Sequence, residues 1–385
     1  MRGDDRGGPA AASRAGRPAW RGGLAAGAML SGLAGATAVA ACGLPAAAVA
    51  HPAVAHPAAA RAWRVIKGVP GADAPAITAV TATGTGHAWA FQSTSAKPAA
   101  WQLTGTSWAK VAFPGRSGDQ VTAAGSSSPR DVWAFTSLPG GAGRALRWNG
   151  QHWAIARQFR QAIGGAVVLG RADVWIFGAP LAPGAGLGTW HYDGHRWHRF
   201  RGLGELTGGS ALRAGSVWAV GGKTAAHWTG RAWTATSLAR VLPRNTRFCR
   251  PSADLVYAFS PGNVWAAGAG HCEDERGPFY LLHFNGRRWR LVFGSAAYGQ
   301  PLQLAPDGSG GLWIPTVAGF PGRFSMLHYR AGHLRRAVLP RPGTRMTVGT
   351  VGHVPHSAVT FGGGASYPAN RPGTRQVAVI LRYPR

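Results

Sequence analysis

Residues 131–153, DVWAFTSLPGGAGRALRWNGQHW, contain a pattern that the chain repeats. A short apolar run with a tryptophan is followed by a variable insert, and then by an aromatic residue, a turn and a second tryptophan. The same order recurs in residues 173–197 and 263–289. Asn149-Gly150 and its counterparts in the other two copies favour tight hairpin turns, because both central residues of such turns must accept positive φ. Each copy therefore contains at least three short strands.

The tryptophan of the first run recurs at intervals of about 45 residues. A further apolar run precedes each of these tryptophans, so that one unit holds four strands. Four-stranded units at this period are typical of propeller blades, because a single sheet cannot bury aromatic side chains on both faces until neighbouring sheets stack around an axis. We therefore expect the repeated tryptophans to pack between blades, where each buries about 150–250 Å². They are Trp89, Trp133, Trp175, Trp218, Trp265 and Trp313.

The two ends of the repeated region complement each other. A seventh unit begins near Met346, and its last run, VAVILRY, places Tyr383 where the other units have the hairpin aromatic, but the outermost strand is missing. Residues 61–66, RAWRVI, form an outermost strand with no unit before it. We predict an all-β, seven-bladed β-propeller over residues 61–385, with four-stranded antiparallel blades and the N-terminal strand closing the last blade. Such closure removes two exposed sheet edges.

The repeats resemble those of kelch-like and galactose-oxidase-type propellers. Gly221-Gly222 and Gly362-Gly363, expected at the ends of second strands, are similar to the kelch glycine doublet, and the spaced hairpin aromatics are similar to those of the same repeat. Residues 126–135, SSSPRDVWAF, are also similar to repeat proteins of secreted actinobacterial proteomes. The resemblance covers residues 61–385 and implies a scaffold and an extracytoplasmic location, without an activity.

The N-terminal segment has the features of an export signal. Several arginines precede an uncharged, Ala/Gly-rich run at residues 23–41. Residues 39–43, VAACG, resemble the lipobox of bacterial lipoproteins, which implies that residues 1–41 are removed and that Cys42 carries the lipid. Residues 42–60, rich in Ala and Pro, are then a tether. We predict anchoring to the outer face of the cell membrane. Cleavage after Ala50, which would give a secreted protein, and an uncleaved anchor are the alternatives.

The chain is strongly basic, with 41 Lys and Arg against 13 Asp and Glu and a formal net charge of +28. This excess favours anionic partners such as teichoic-type polymers or phospholipid headgroups. The arginines are spread along the chain rather than clustered, which does not favour specific nucleic-acid binding. Only four of the cations are lysines, so part of the excess also fits a GC-rich genome. An anionic envelope polymer or a partner protein is the expected partner, and a monomer the expected state.

Function on a propeller usually lies in the segments that break the repeat. We expect binding on the face that carries the loops between second and third strands and the connections between blades. In one such loop, AGHCEDERGPF, three carboxylates are consecutive. Cys249 and Cys272 lie at nearly equal distances from the turn at residues 260–262, so we predict a disulfide between them. A solvated charge run is the alternative interpretation of the acidic loop. The candidate ligand-binding residues are Glu273, Asp274, Glu275, Arg276, Arg323, Tyr367, Arg371 and Arg375.

The sequence shows no catalytic motif: there is no nucleophile elbow, zinc-binding helix or phosphate-binding loop. Asp131 and Asp173 are expected to cap turns through backbone amides. No metal or cofactor is expected, because the histidines before the hairpin aromatics recur once per blade and cannot converge on one ion: His191, His227, His283 and His328. We therefore predict a non-catalytic, lipid-anchored binding module. A secreted carbohydrate-active enzyme on the same scaffold is the alternative.

Overall fold

The computed structural model describes residues 62–70, 75–94, 96–179, 186–272, 277–318, 323–340, 344–368 and 376–384. These residues belong to one compact unit, His56–Arg385. Their regular elements are all β-strands, and none of the described residues lies in a helix long and apolar enough to span a membrane.

The strands form seven sheets, each of which is one blade. The first strand, β1 (Arg64–Pro70), belongs to the last blade. Blade one follows with β2 (Ala76–Gly84), β3 (His87–Ser93), β4 (Ala99–Thr104) and β5 (Ser107–Val111), and blade two with β6 (Gln120–Ser128), β7 (Asp131–Ser137), β8 (Gly143–Trp148) and β9 (Trp153–Phe159). Blade three has β10 (Ile163–Gly170), β11 (Asp173–Gly178), β12 (Thr189–Tyr192) and β13 (Trp197–Phe200), and blade four has β14 (Gly208–Arg213), β15 (Ser216–Gly221), β16 (Thr224–Trp228) and β17 (Trp233–Ser237).

In blades five and six the innermost strand is divided in two. Blade five comprises β18 (Cys249–Pro251) with β19 (Leu255–Ser260), then β20 (Asn263–Cys272), β21 (Phe279–Phe284) and β22 (Trp289–Ser295). Blade six comprises β23 (Gln300–Pro301) with β24 (Ala305–Pro306), then β25 (Leu312–Ala318), β26 (Arg323–Arg330) and β27 (His333–Arg336). Blade seven comprises β28 (Thr344–His353), β29 (Thr360–Pro368), β30 (Val377–Tyr383) and β1. The seven-bladed, four-stranded propeller predicted from the sequence is confirmed.

The N-terminal strand closes the ring. β1 runs antiparallel to β30, with Arg64 opposite Arg382 and Pro70 opposite Val377. Trp63, just before β1, is only 4% exposed, and its ring lies 5.2 Å from that of Trp313 in blade six. The predicted docking of the first strand beside the last one is therefore confirmed.

Aromatic side chains connect each blade to the next around the whole circle. Each tryptophan of a second strand contacts the hairpin aromatic of the following blade, as Trp89 contacts Trp148 with ring centroids 5.0 Å apart. Between blades seven and one, Phe361 contacts Trp108 at 6.1 Å. The remaining pairs are Trp133–Tyr192, Trp175–Trp228, Trp218–Phe284, Trp265–Tyr329 and Trp313–Tyr383. The repeated tryptophans are thus packing residues, as their spacing predicts.

Two details differ from the sequence prediction. The strands extend further than expected: β8 begins at Gly143 and β29 continues to Pro368, whereas the sequence prediction places residues 137–146 and 362–375 in loops. Gly362-Gly363 lies within β29 rather than at its end. A Cβ at Gly363 would collide with Ile77, and one at Gly364 with the carbonyl of Thr347, so the glycines permit close packing of neighbouring strands.

Candidate functional site

The innermost strands of the blades form a hub that side-chain hydrogen bonds hold together. The hydroxyl of Thr78 donates to the carbonyl of Val121 at 2.8 Å, which joins blade one to blade two, and Thr122 donates to Ile163 at 2.7 Å, which joins blade two to blade three. Between blades six and seven, the carboxamide oxygen of Gln303 accepts bonds from Thr350 Oγ1 at 2.8 Å and from the N–H of Val351. These polar side chains at the hub are therefore structural.

The hub opens onto two faces. The loop face carries the loops between second and third strands and the connections between blades, including residues 138–142 and 238–248. The turn face carries the turns within the other strand pairs, including residues 171–172 and 286–288. A cavity of about 170 Å³, whose lining includes Thr78, Gly165 and Gly208, occupies the half of the hub near the loop face. A second cavity, of about 580 Å³, opens on the turn face.

Only some of the predicted ligand-binding residues belong to the described part of the chain. Arg323, the first residue of β26, is exposed on the loop face. Tyr367, in β29, is partly buried, and the guanidinium of Arg345 lies 5.7 Å from the centre of its ring. No hydrogen bond or ion pair joins Arg323 to Tyr367 among the described residues. The other predicted residues lie outside the described ranges: Cys42, Glu273, Asp274, Glu275, Arg276, Arg371 and Arg375.

The predicted disulfide is present. Cys249 is bonded to Cys272, and the two residues are direct partners where β18 pairs with β20. The turn between β19 and β20 falls at Ser260–Asn263, as the equal spacing of the cysteines predicts. The disulfide thereby fixes the last described residues before the acidic loop.

A polar cluster that the sequence prediction missed lies beside this disulfide. Ser252 Oγ donates to the carboxylate of Asp254 and lies 2.8 Å from His271 Nε2, while His271 Nε2 is 3.5 Å from Asp254 Oδ2. The hydrogen bond with Asp254 raises the pKa of His271, burial acts in the opposite direction, and the carboxylate charge adds to the increase. Asp254 stands at the hub position that Thr78 and Thr122 occupy in their blades, which is the signal that could have indicated the cluster.

The geometry of this cluster differs from that of a nucleophilic triad. In a triad the carboxylate binds one imidazole nitrogen while the serine binds the other, so that the histidine can relay a proton. Here the same nitrogen of His271 faces both Ser252 and Asp254, and Ser252 also bonds to the carboxylate directly. The arrangement joins Asp254 to Ser252 and His271 and holds the loop-face end of β20.

The histidines before the hairpin aromatics have a structural role in separate blades. The imidazole of His191 stacks on Trp175 with centroids 4.1 Å apart, and its Nε2 lies 2.9 Å from Asp173 Oδ1. His227, His283 and His328 repeat this arrangement. In blade two, Arg147 takes the place of the imidazole, stacking on Trp133 and pairing with Asp131.

The expected role of Asp131 and Asp173 as turn caps is wrong. Asp131 and Asp173 bind side chains rather than the backbone amides expected for turn caps. Within the described ranges, no group of three or more His, Cys, Asp or Glu side chains is arranged to hold a metal ion.

The described carboxylates are satisfied inside the molecule. Asp119 forms a buried ion pair with Arg144 at 2.9 Å, and Asp307 binds His328 at 2.8 Å. Glu205 accepts a bond from the N–H of Gly186. The others pair with cationic or imidazole side chains, namely Asp131, Asp173, Asp193 and Asp254.

Exposed arginines remain on both faces. On the loop face they include Arg116, Arg160, Arg201, Arg240, Arg244, Arg247, Arg250 and Arg323, and on the turn face Arg130, Arg171, Arg213, Arg231, Arg287, Arg288 and Arg330. No ion pair is formed by any of these side chains with another described residue. Their positive charge is consequently available to an anionic partner.

Comparisons with known proteins identify the fold alone. No family model matches the chain, and no curated protein matches it. By contrast, 584 chains in solved structures match, so the scaffold is widespread and does not by itself select a function.

Three of these structures illustrate how different the proteins with this fold are. YCF48 bound to D1 peptide is 14% identical, with a TM-score of 0.52 and coverage of 83% of this chain and 95% of that one. A catalytically inactive variant of virginiamycin B lyase from Staphylococcus aureus, with quinupristin, is 9% identical, with a TM-score of 0.53 and coverage of 83% and 99%. The WD40 β-propeller domain of Doa1 is 8% identical, with a TM-score of 0.53 and coverage of 83% and 97%. The chain is a β-propeller similar to these structures in fold.

Proposed function

We propose that this protein is an extracytoplasmic, lipid-anchored propeller that binds an anionic polymer of the cell envelope, or an acidic partner protein, without catalysing a reaction. One observation carries the proposal: the described carboxylates are all engaged within the molecule, whereas exposed arginines on both faces have no described ionic partner. Uncompensated charge of one sign attracts polyanions over a distance of about 10 Å at 0.1 M salt.

Three further points support this proposal. The chain resembles bacterial lipoproteins around Cys42, which would keep the propeller close to envelope polymers. The Ser252, Asp254 and His271 cluster lacks the two-sided imidazole of a proton relay. Among the structures of similar fold, YCF48 is bound to a peptide, which supports a role for this kind of scaffold as a binding module.

We propose the loop face as the binding surface, because its loops differ most between blades. Arg244 and Arg247 lie there, exposed in the connection between blades four and five, whereas Arg287 and Arg288 are exposed in a hairpin turn on the opposite face. These two pairs provide matched variants, since each consists of two exposed arginines outside the buried core.

The test measures binding of the full chain to a polyglycerol-phosphate polymer and to neutral dextran. We expect binding to the phosphate polymer alone, weakening about tenfold or more as salt rises from about 0.05 to 0.5 M, because salt screens exposed charges. R244S/R247S should weaken binding, and R287S/R288S should leave it nearly unchanged. Salt-independent binding, or equal binding to dextran, would contradict the electrostatic proposal, whereas a loss confined to R287S/R288S would move the surface to the turn face. Shortening of the dextran during incubation would support the carbohydrate-active alternative.

A further inference from the structure

The larger cavity of the hub, about 580 Å³ on the turn face, differs chemically from the surface around it. Its lining is largely polar, with Tyr257, Gln303, His353 and His356 among the polar residues, and it also includes apolar side chains such as Leu212, Leu304 and Pro355. No Asp, Glu, Lys or Arg side chain of the described residues lines it. In a chain with a formal net charge of +28, this cavity has no carboxylate, ammonium or guanidinium group of the described residues on its lining, and it has the size that holds small molecules, about 300–1,000 Å³.

Tyr257 breaks the repeat at this cavity. The residue opposite the second-strand tryptophan is small or aliphatic in the other blades, for example Thr81 opposite Trp89 and Ala305 opposite Trp313. In blade five this residue is Tyr257, opposite Trp265. Its ring packs against Phe259 with centroids 4.9 Å apart, and burial raises its pKa, so the hydroxyl keeps its proton at neutral pH. That hydroxyl has no hydrogen-bond partner among the described residues.

The turn between β28 and β29 supplies the second polar group. His353 Nε2 lies 2.7 Å from the carbonyl oxygen of Ser357. Because a carbonyl can only accept, Nε2 carries the proton and the neutral ring presents an unprotonated Nδ1 as an acceptor. Burial lowers the pKa of His353, and the repulsive charge of His356 acts in the same direction, against the bond to Ser357 and the charge of Asp307.

The same turn is held in an unusual conformation. His356 has a φ of 54°, a left-handed conformation that is costly for a residue other than glycine. The turn is braced by a hydrogen bond from the N–H of Val354 to the carbonyl of Val359, and by contact with blade six, where a Cβ at Gly308 would collide with Ser357. A strained but braced turn that lines a cavity is typical of a preorganised binding site.

We propose that this turn-face cavity binds a neutral sugar of one or two rings. A sugar hydroxyl both donates and accepts, so it can accept from the hydroxyl of Tyr257 and donate to Nδ1 of His353. The C–H surfaces of the ring can contact the apolar side chains in the lining, Leu212, Leu304 and Pro355, while its other hydroxyls meet the polar part of the lining. A charged ligand would meet no carboxylate, ammonium or guanidinium group of the described residues on the lining and would lose hydration without that compensation. This site lies on the turn face, on the opposite side of the hub from the loop-face arginines Arg244 and Arg247 of the proposed function.

The test uses the full chain with maltose, cellobiose and trehalose as probes, followed by saturation-transfer NMR and titration. We expect saturation transfer to at least one of them and an affinity that does not change with salt. Y257F removes only the hydroxyl and should weaken binding about three- to tenfold, the usual range for one hydrogen bond. Y298F is the matched control, because Tyr298 packs on Phe293 and is not part of the cavity lining, so its replacement should leave affinity unchanged.

Three results would overturn the proposal. They are the absence of saturation transfer to all three sugars, equal affinities of Y257F and the unchanged chain, and binding of galacturonate as tight as that of the neutral sugars. Thermal unfolding of Y257F and Y298F shows whether both variants retain the fold. Since polymer binding is salt-dependent and sugar binding is not, failure of either proposal is distinguishable from failure of the other.

Discussion

Pairing of a tryptophan with an imidazole is the residue-scale unit that recurs in blades three to six. The ring of the histidine stacks on the tryptophan, and its Nε2 bonds to an acceptor near the start of the second strand: Asp173, Ser216, Asn263 or Asp307. The residue bonded to the histidine differs between blades, but the stacking of the imidazole on the tryptophan is the same in all four. The unit thus orients the tryptophan that joins one blade to the next.

Asp307 is the acceptor most strongly tied into its turn. Burial raises its pKa, but bonds from His328 and from the backbone N–H groups of Gly311 and Ser309 outweigh burial and lower the pKa from 3.8 to about 2. Because the folded value lies below the unfolded value, the ionised carboxylate stabilises the fold at pH values above about 4. That stabilisation is lost as pH falls through about 2.

We predict that Asp307→Asn lowers the free energy of unfolding at pH 7 by about 2 kcal/mol, since each pKa unit corresponds to about 1.4 kcal/mol. The difference from the unchanged chain should shrink as the pH is lowered from about 4 to about 2. Urea unfolding followed by tryptophan fluorescence at several pH values measures both effects.

Asp193→Asn is the matched control for this substitution. Asp193 accepts comparable backbone bonds from His195 and Arg196, and a side-chain bond from His198, but lies in an exposed hairpin turn. Its replacement should have the smaller effect. An equal or larger loss for Asp193→Asn would show that burial of the Asp307 network is not what stabilises the fold.

At the scale of elements, blade five differs from its neighbours in having a divided first strand. β18 contains only three residues and is followed by Ser252–Asp254 before β19 begins. Three residues of strand pairing contribute little by themselves, so the Cys249–Cys272 disulfide holds β18 against β20. The same bond fixes His271 beside Asp254.

We predict that the C249S/C272S variant loses about 3 kcal/mol of unfolding free energy, from the loop of 23 residues that the disulfide closes. Calorimetry with and without a reductant measures the effect. The unchanged chain should become less stable on reduction, whereas the double variant should not respond. Thiol labelling of both cysteines in the unfolded, unreduced chain would contradict the prediction.

The positions of the strands were easier to predict from the sequence than their lengths. Trp89, Trp133 and the other periodic tryptophans defined the second strands, since a residue that recurs once per blade must occupy equivalent positions. The extension of β29 to Pro368 was not predictable, because its glycine-rich residues hide the alternation that marks a strand.

The candidate sites were harder to predict than the strands. The cluster of Ser252 with His271 depends on the pairing register at an interruption of the strand, and the environment of the Tyr257 hydroxyl depends on which blade packs against it. Neither relation has a periodic signature. The sequence prediction chose the acidic loop because three consecutive carboxylates can be recognised from composition. Contacts between residues that are distant in sequence cannot be recognised in that way.

At the scale of the whole molecule, one side chain at the start of the propeller completes the circle of aromatics. Trp63 packs between Trp313 of blade six and Tyr383 of blade seven, and it lies over Gly362. It occupies the place that the second tryptophan of the hairpin takes in blades two to five. Closure thus depends on packing as well as on the pairing of β1 with β30.

We predict that Trp63→Ala lowers the free energy of unfolding by about 3–5 kcal/mol, the usual range for removing a buried aromatic side chain. Arg64→Ala is the control, since Arg64 lies in the same region but is exposed, and it should change stability by less than about 0.5 kcal/mol. Chemical unfolding of both variants makes the comparison. Similar losses in the two would mean that strand pairing, rather than the Trp63 contact, closes the ring.

The pairing of β1 with β30 also sets the order in which the chain can fold. Neighbouring strands within blades one to six are close in sequence and can pair as soon as they are synthesised, since hairpins form in about 1–10 μs. Arg64 must wait for Arg382, almost the whole length of the propeller later. Contacts of such long sequence separation form slowly. Until β1 pairs with β30, both strands have an unpaired edge. Chaperones that cover these edges during synthesis would therefore raise the yield of folded protein.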